Sequence, residues 1–160
     1  MAARVAQRTA RGTRHDRRRP RCAGPGRRGV TRLVLDASAG VELLLNTTRA
    51  HSLSVQFPAS AEWWVPEHYF VEVAGALRRA VLNGDATSER VEQAFSMLER
   101  AALHRAQVRP LLADAWTRRA AITVADALYV VLAEHIDATL VTADERLARS
   151  PGLTISTIVP

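Results

Sequence analysis

Hydrophobic positions from residue 32 onward fall into two alternating kinds of stretch: short unbroken apolar runs, and longer runs spaced three and four residues apart. The first run, Leu33-Val34-Leu35, ends on a carboxylate, Asp36, and predicts a buried strand over residues 32–36, apolar on both faces as in a parallel sheet. Residues 38–46 predict a helix with Val41, Leu44 and Leu45 inward, and residues 51–57 a second short helix. Trp63-Trp64-Val65 predicts a strand ended by Pro66, which then starts a long helix to Asn83, with Phe70, Val73, Leu77 and Val81 at helical spacing and Gly84 as stop signal. A helix over 87–102 carries Val91, Phe95 and Leu98 on one side; 107–109 predicts a brief strand and 111–121 another helix. Residues 123–135 predict a helix with Leu128, Val131 and Leu132 inward, followed by a strand over 138–142, a short helix over 144–148 and a final strand over 153–158. Strands alternating with helices point to a three-layer α/β/α domain with a mostly parallel central sheet. There is no internal repeat.

Composition adds a division. Residues 1–29 hold ten arginines and one acid, whereas residues 30–160 hold twelve arginines and fifteen acids. The overall charge of +6 therefore belongs to the tail, and the body carries −3. A mildly acidic body does not hold nucleic acid by charge alone. The tail lacks apolar periodicity and is rich in Arg, Gly and Pro, so disorder is expected there. Its other readings are an RNA-binding arm, or a translation start placed too far upstream, with Val30 as the true initiator; the last is preferred. Residues 30–160 then form one domain. No apolar stretch approaches the roughly 18 to 20 residues that span a membrane, and no apolar segment follows the arginines to make a secretory signal. A single cysteine, Cys22, excludes an internal disulfide and a cysteine zinc cluster, and fits a reducing cytoplasm. The chain has no lysine, which excludes a P-loop.

Sites in open parallel sheets form at the carboxyl ends of strands. Asp36 ends the first strand, Asp144 lies two residues beyond the strand ending at Thr142, Asp126 falls in the first turn of the helix after Thr123, and Glu72 sits beside the apolar stripe of the long helix. All four could face one pocket. Each also has a structural reading: Asp36 and Asp144 as helix N-caps, Asp126 as the acidic half of a capping box with Thr123, and Glu72 as a solvated helix former.

The blocks "LVLDASAGVELLL", "VPEHYFVEVAGALRRA" and "ITVADALYVVLAEHIDATLVTADERLA" resemble, in order and spacing, the three motif blocks of the PIN-domain family, and more narrowly the VapC-type toxins of bacterial toxin–antitoxin pairs. The likeness runs from about residue 32 to the C-terminus and leaves the tail outside. It implies a PIN-like fold; Asp36, Glu72, Asp126 and Asp144 as the acidic metal site; Ser38 and Thr142 as its polar neighbours; Mg²⁺ or Mn²⁺ as cofactor; an RNA substrate; a homodimer; and a cognate antitoxin. Ser38 has a capping alternative, and Thr142 one as a strand end.

Clustered carboxylates without a cation repel and hold protons, and an all-oxygen set suits Mg²⁺ or Mn²⁺. The implied activity is hydrolysis of RNA, with water as the attacking group. Arg78, Arg79, Arg118, Arg119 and Arg146 are the candidates for RNA grip, and each is equally a candidate surface charge. The antitoxin is expected to cover apolar surface near Trp63, Trp64 and Phe70 and to bring a basic side chain to the acids, although Trp63 and Trp64 are also candidate core. His51, His68, His104 and His135 show no metal-ligand spacing, and there is no G-x-S-x-G elbow. The competing readings are a PIN fold without catalysis that binds RNA or protein, and a related phosphoesterase or DNA flap nuclease, for whose threading the compact body lacks insertions.

Overall fold

The computed structural model describes residues 30–160. The expected disorder of the tail lies outside the described residues. Five strands form one sheet: β1 (Thr31–Leu35), β2 (Ala61–Pro66), β3 (Leu103–Ala106), β4 (Thr139–Val141) and β5 (Thr157–Ile158). Their order is β3-β2-β1-β4-β5, and every pairing is parallel. The helices flanking the sheet are α1 (Ala37–Leu44), α2 (Thr48–Ser54), α3 (Tyr69–Asn83), α4 (Ser88–Arg100), α5 (Leu112–Thr117), α6 (Val124–Ile136) and α7 (Glu145–Ala148), giving the expected three layers. A single 3₁₀ turn, Arg109–Leu111, precedes α5.

The chain builds outward from β1 to β2 and β3, then returns to add β4 and β5 on the other side. The reversal falls between β1 and β4, where crevices open in parallel sheets. Both strands are apolar on both faces: Leu33, Val34, Leu140 and Val141 are all buried. Above them α6 is buried along its whole middle, Ala127 to Ala133, a continuous apolar run rather than a stripe. It packs on α5 and on β1, β2 and β4, while α1 packs on α2, α3 and α4. No helix among the described residues is long and apolar enough to cross a membrane.

Several predicted boundaries move. Pro66 does not start α3. It closes β2 in register with Ala106, Glu67 then donates to the Ala106 carbonyl, and α3 begins three residues later at Tyr69. Proline is compatible with a strand end as well as with a helix start. The third strand lies at Leu103–Ala106 rather than 107–109, because β2 supplies its pairing partners there. The final strand shrinks to Thr157–Ile158, the length over which β4 pairs with it. The buried stripe of α3 is Tyr69, Val73 and Leu77, with Phe70 and Val81 only partly covered. In α4, Ala94 rather than Phe95 faces the core. Gly84 ends α3 as expected, in the left-handed conformation at φ 78°.

Candidate active site

The register of β1 with β4 sets the site. Leu35 is paired with Val141, so the next residues, Asp36 and Thr142, emerge side by side at the carboxyl end of the sheet. Asp36 is only 5% exposed and Thr142 is fully buried. The Thr142 hydroxyl donates to Asp36 Oδ2 at 2.7 Å, and the Ser38 hydroxyl, from the first turn of α1, donates to the same oxygen. Ser38 Oγ in turn accepts from the Ala143 amide at 2.9 Å, and Thr142 Oγ1 from the Asp144 amide at 3.0 Å. Asp36 occupies the N-cap position of α1 yet makes no side-chain cap. Its carboxylate is spent on the cluster instead, and both hydroxyls bind Oδ2 rather than Oδ1.

Burial pushes the Asp36 carboxyl above the usual range; the Ser38 and Thr142 hydroxyls pull against this, and the nearby charge of Asp126 pushes the same way as burial. No basic side chain is among the groups acting on it. Asp126 is half-buried in the first turn of α6. Its carboxylate accepts from the Thr123 hydroxyl at 2.7 Å, and its amide donates back to Thr123 Oγ1 at 3.1 Å, so it participates in capping while its charge acts on Asp36.

Glu72 is not a solvated helix residue alone. Its Oε2 accepts from the Tyr129 hydroxyl of α6 at 2.6 Å and lies 3.4 Å from His68 Nε2. Tyr129 is fully buried, and burial together with the Glu72 bond drives its phenol well above the ordinary range. The ring nitrogens of His68 are buried without a hydrogen-bond partner among the described residues. Tyr69, also buried, feels the Asp36 charge and covers Gly40 of α1: a Cβ there would come within 2.9 Å of the tyrosine ring.

Asp144 behaves as a cap. Oδ1 accepts from the Arg146 amide at 2.8 Å and the Leu147 amide at 3.4 Å, and the Arg146 guanidinium holds Oδ2 at 3.1 Å. Arg146 is the main cause of a carboxyl held below the usual range. Asp126 and Asp144 share the wall of a cavity of about 440 Å³ with Arg119, Thr123, Arg146 and Leu147. Asp36 and Glu72 are not in that wall.

The structure thus gathers Asp36, Ser38 and Thr142 in contact, keeps Asp126 near enough for its charge to act on Asp36, and leaves Asp144 and Glu72 on partners of their own. Among the described residues, no three His, Cys, Asp or Glu side chains stand together as a ready ligand set. The donor chemistry still fits a hard cation. A desolvated carboxylate facing a second one is relieved by positive charge, and Mg²⁺ retains several waters rather than requiring an all-protein cage. Sequence reading missed Tyr69, His68 and Tyr129 at the site, and named Arg146 for RNA grip without its pairing to Asp144. The first three lie one helical turn or less from the motif acids or on the motif helix, a signal that residue type alone does not carry.

Of the five arginines proposed for RNA grip, Arg118 is paired with Glu134 at 2.6 Å, whereas Arg119 and Arg146 lie at the cavity. Trp63 and Trp64, expected at a partner surface or in the core, are half-buried and pack against the core with Phe70.

The sequence profile of the PIN domain matches residues 33–153. Ribonuclease VapC3 of Mycobacterium tuberculosis is 40% identical over 118 residues, covering 74% of this chain and 86% of the relative. The crystal structure of Mycobacterium tuberculosis VapC20, described as a sarcin-ricin loop cleaving toxin, superposes with a TM-score of 0.56 at 14% identity over 72% of this chain and 92% of that one. VapBC2 of Rickettsia felis, bound to a DNA fragment from its promoter, gives a TM-score of 0.53 at 15% identity over 80% and 99%. Those two structures speak for the fold, and the profile and the VapC3 relative for descent: the chain belongs to the PIN-domain family, among its VapC-type members.

Proposed function

We propose that the chain is a metal-dependent endoribonuclease, the toxin of a type II toxin–antitoxin pair, acting in the cytoplasm as a homodimer and silenced by a cognate antitoxin. The ribonuclease name of its relatives supports the activity, and the two-part VapBC assembly of the Rickettsia structure supports a partner protein. The observation that carries the catalytic reading is Asp36: a buried carboxylate at the switch point of a parallel sheet, held by two hydroxyls and opposed by a second acid.

Mg²⁺ or Mn²⁺, when bound, would lower the pKa of water and offset charge on the phosphodiester. Asp36 and Asp126 would be its central ligands, with Asp144 and Glu72 as the further acids of the set. Ser38 and Thr142 fix Asp36 through Oδ2, so the carboxylate is oriented before a cation arrives. Tyr129 fixes Glu72 in the same manner through Oε2, and leaves Oε1 to ligate or to orient the attacking water. Arg146 screens the entry of phosphate past Asp144.

A PIN fold without catalysis is not favoured. A module that only binds gains nothing from burying the Asp36 carboxylate within reach of the Asp126 charge, which costs stability whenever Asp36 is ionised. Titration of Mg²⁺ and Mn²⁺ against cleavage of matched RNA and DNA strands tests the proposal. Metal-dependent cleavage of RNA supports it; cleavage in excess EDTA, or of DNA alone, overturns it.

A further inference from the structure

Trp116 does not fit the economy of the fold. It lies on α5, a helix that buries only Ala115, and is 58% exposed. Leu112, one turn earlier, is 46% exposed. The other tryptophans are accommodated: Trp63 meets Phe57 edge-on at 4.8 Å, and Trp64 stacks on His104 at 4.6 Å. A lone exposed aliphatic side chain is ordinary, but an indole and a leucine one turn apart on the same helix form an exposed apolar patch, the kind of surface that marks a binding site.

What lies on the Trp116 ring is informative. The Arg119 guanidinium sits 5.1 Å from the ring centroid, while its Nη1 donates to the Trp116 carbonyl at 3.0 Å. One residue is therefore held by both the backbone and the indole of the other. Arg119 also lines the cavity that contains Asp126 and Asp144. A single side chain thus joins an exposed aromatic surface to the acidic pocket.

The chemistry of the substrate supplies the occupant. The body carries net −3, and a phosphodiester has to approach carboxylates. Of the cations at the cavity, Arg146 is committed to Asp144. Attraction independent of charge is needed, and a nucleobase offers it: every unpaired base has a π-face that stacks on an aromatic ring or a guanidinium plane.

We propose that Trp116 and Arg119 form a base-stacking platform at the rim of the acidic cavity, receiving an unpaired RNA base beside the phosphate to be cleaved. The proposal rests on the nuclease reading and deepens it by naming the residues that hold the substrate, a stacked pair joined to the cavity wall. A flat platform without hydrogen-bonding edges accepts purine and pyrimidine alike, so it selects unpaired over paired bases and leaves sequence preference to other contacts.

The test uses the full chain with a 12-nucleotide single-stranded RNA and the same sequence paired in a duplex, in excess EDTA. The single strand is expected to quench tryptophan emission and to bind more tightly than the duplex. Trp116→Ala should remove most of the quench and weaken single-strand binding about 10-fold or more, Trp116→Phe should restore most of the affinity, and Arg119→Lys should weaken it despite keeping the charge. With Mn²⁺ present, Trp116→Ala should raise KM for RNA and leave kcat nearly unchanged. Unchanged single-strand affinity and KM in Trp116→Ala, with wild type still cleaving RNA, overturns the platform and leaves the nuclease reading intact. Quenching and tight binding without any cleavage by wild type fails the nuclease reading and leaves the platform. A shift of Trp116→Ala from dimer to monomer in sedimentation, at unchanged RNA affinity, reassigns the surface to self-association and overturns the proposal.

Discussion

Asp36 and Asp144 are set up alike in the sequence: an apolar strand, an acid, then a helix. They end in different states. Asp144 does what an acid before a helix does, accepting the amides of Arg146 and Leu147, and keeps 29% of its side chain exposed beside an arginine. Asp36 stands at the same helical position, makes no cap, and is buried among hydroxyls. The cause is register. Asp36 follows the central strand directly and meets Thr142 from β4, whereas Asp144 lies two residues farther out, past the sheet. One acid stabilises the fold, and the other is held in place at the fold's expense, a common signature of functional residues.

The largest expected effect separates the two by chemistry. Asp36→Asn should reduce RNA cleavage about 10³-fold or more, the worth of several kcal/mol of charge stabilisation, with a native circular dichroism spectrum. Asp144→Asn should lose less, because the asparagine still caps and because the Asp144 charge is already shared with Arg146. Equal losses in the two variants would erase the distinction.

The helices that follow the two acids offer a second contrast, in stability. α1 is packed under Tyr69 at Gly40, so Gly40→Ala should cost roughly 1–3 kcal/mol through overpacking, read as a lower denaturation midpoint. α7 is a single short turn at the surface, where Asp144→Ala should cost about 1 kcal/mol through the lost cap. A Gly40→Ala protein as stable as wild type would show that Tyr69 yields freely.

The smallest effect is a pair of opposite pH slopes. Folded Asp36, raised by burial, keeps its proton to higher pH than in the unfolded chain. Its contribution to stability is complete below the ordinary carboxylate range and is lost as pH rises through the raised value. Folded Asp144, lowered chiefly by Arg146, contributes above the ordinary range and loses that contribution as pH falls through its lowered value. In metal-free buffer, the difference in stability between wild type and Asp36→Asn should therefore shift against wild type as pH rises, and that between wild type and Asp144→Asn against wild type as pH falls. Parallel profiles would contradict both assignments.

Much of this was legible in the chain. Leu33-Val34-Leu35 announces a buried strand, Thr123 with Asp126 a helix start, and Gly84 a helix end, because each depends on neighbours within a few residues. The choice between cap and cluster for Asp36 was not legible, since Thr142 is more than a hundred residues away and only strand register brings it near. The same reason hid the placement of β3, whose ends follow from pairing with β2, and the Tyr129–Glu72 bond, which joins α6 to α3. Local composition did place the acids on the correct elements, but it could not show that Asp144 turns to Arg146 while Asp36 does not.

The most direct test of the central claim, that Asp36 is a cation-binding carboxylate rather than a structural one, is thermal melting of wild type and Asp36→Asn in excess EDTA and in Mn²⁺. In EDTA the variant should melt at or above wild type, since the cost of burying a charge is removed, together with the smaller repulsion from Asp126. Mn²⁺ at about 100 times its Kd should stabilise wild type by about 2.7 kcal/mol, a rise of several degrees, and leave the variant almost unmoved. An Asp36→Asn protein that melts well below wild type in EDTA and gains as much from Mn²⁺ would contradict it.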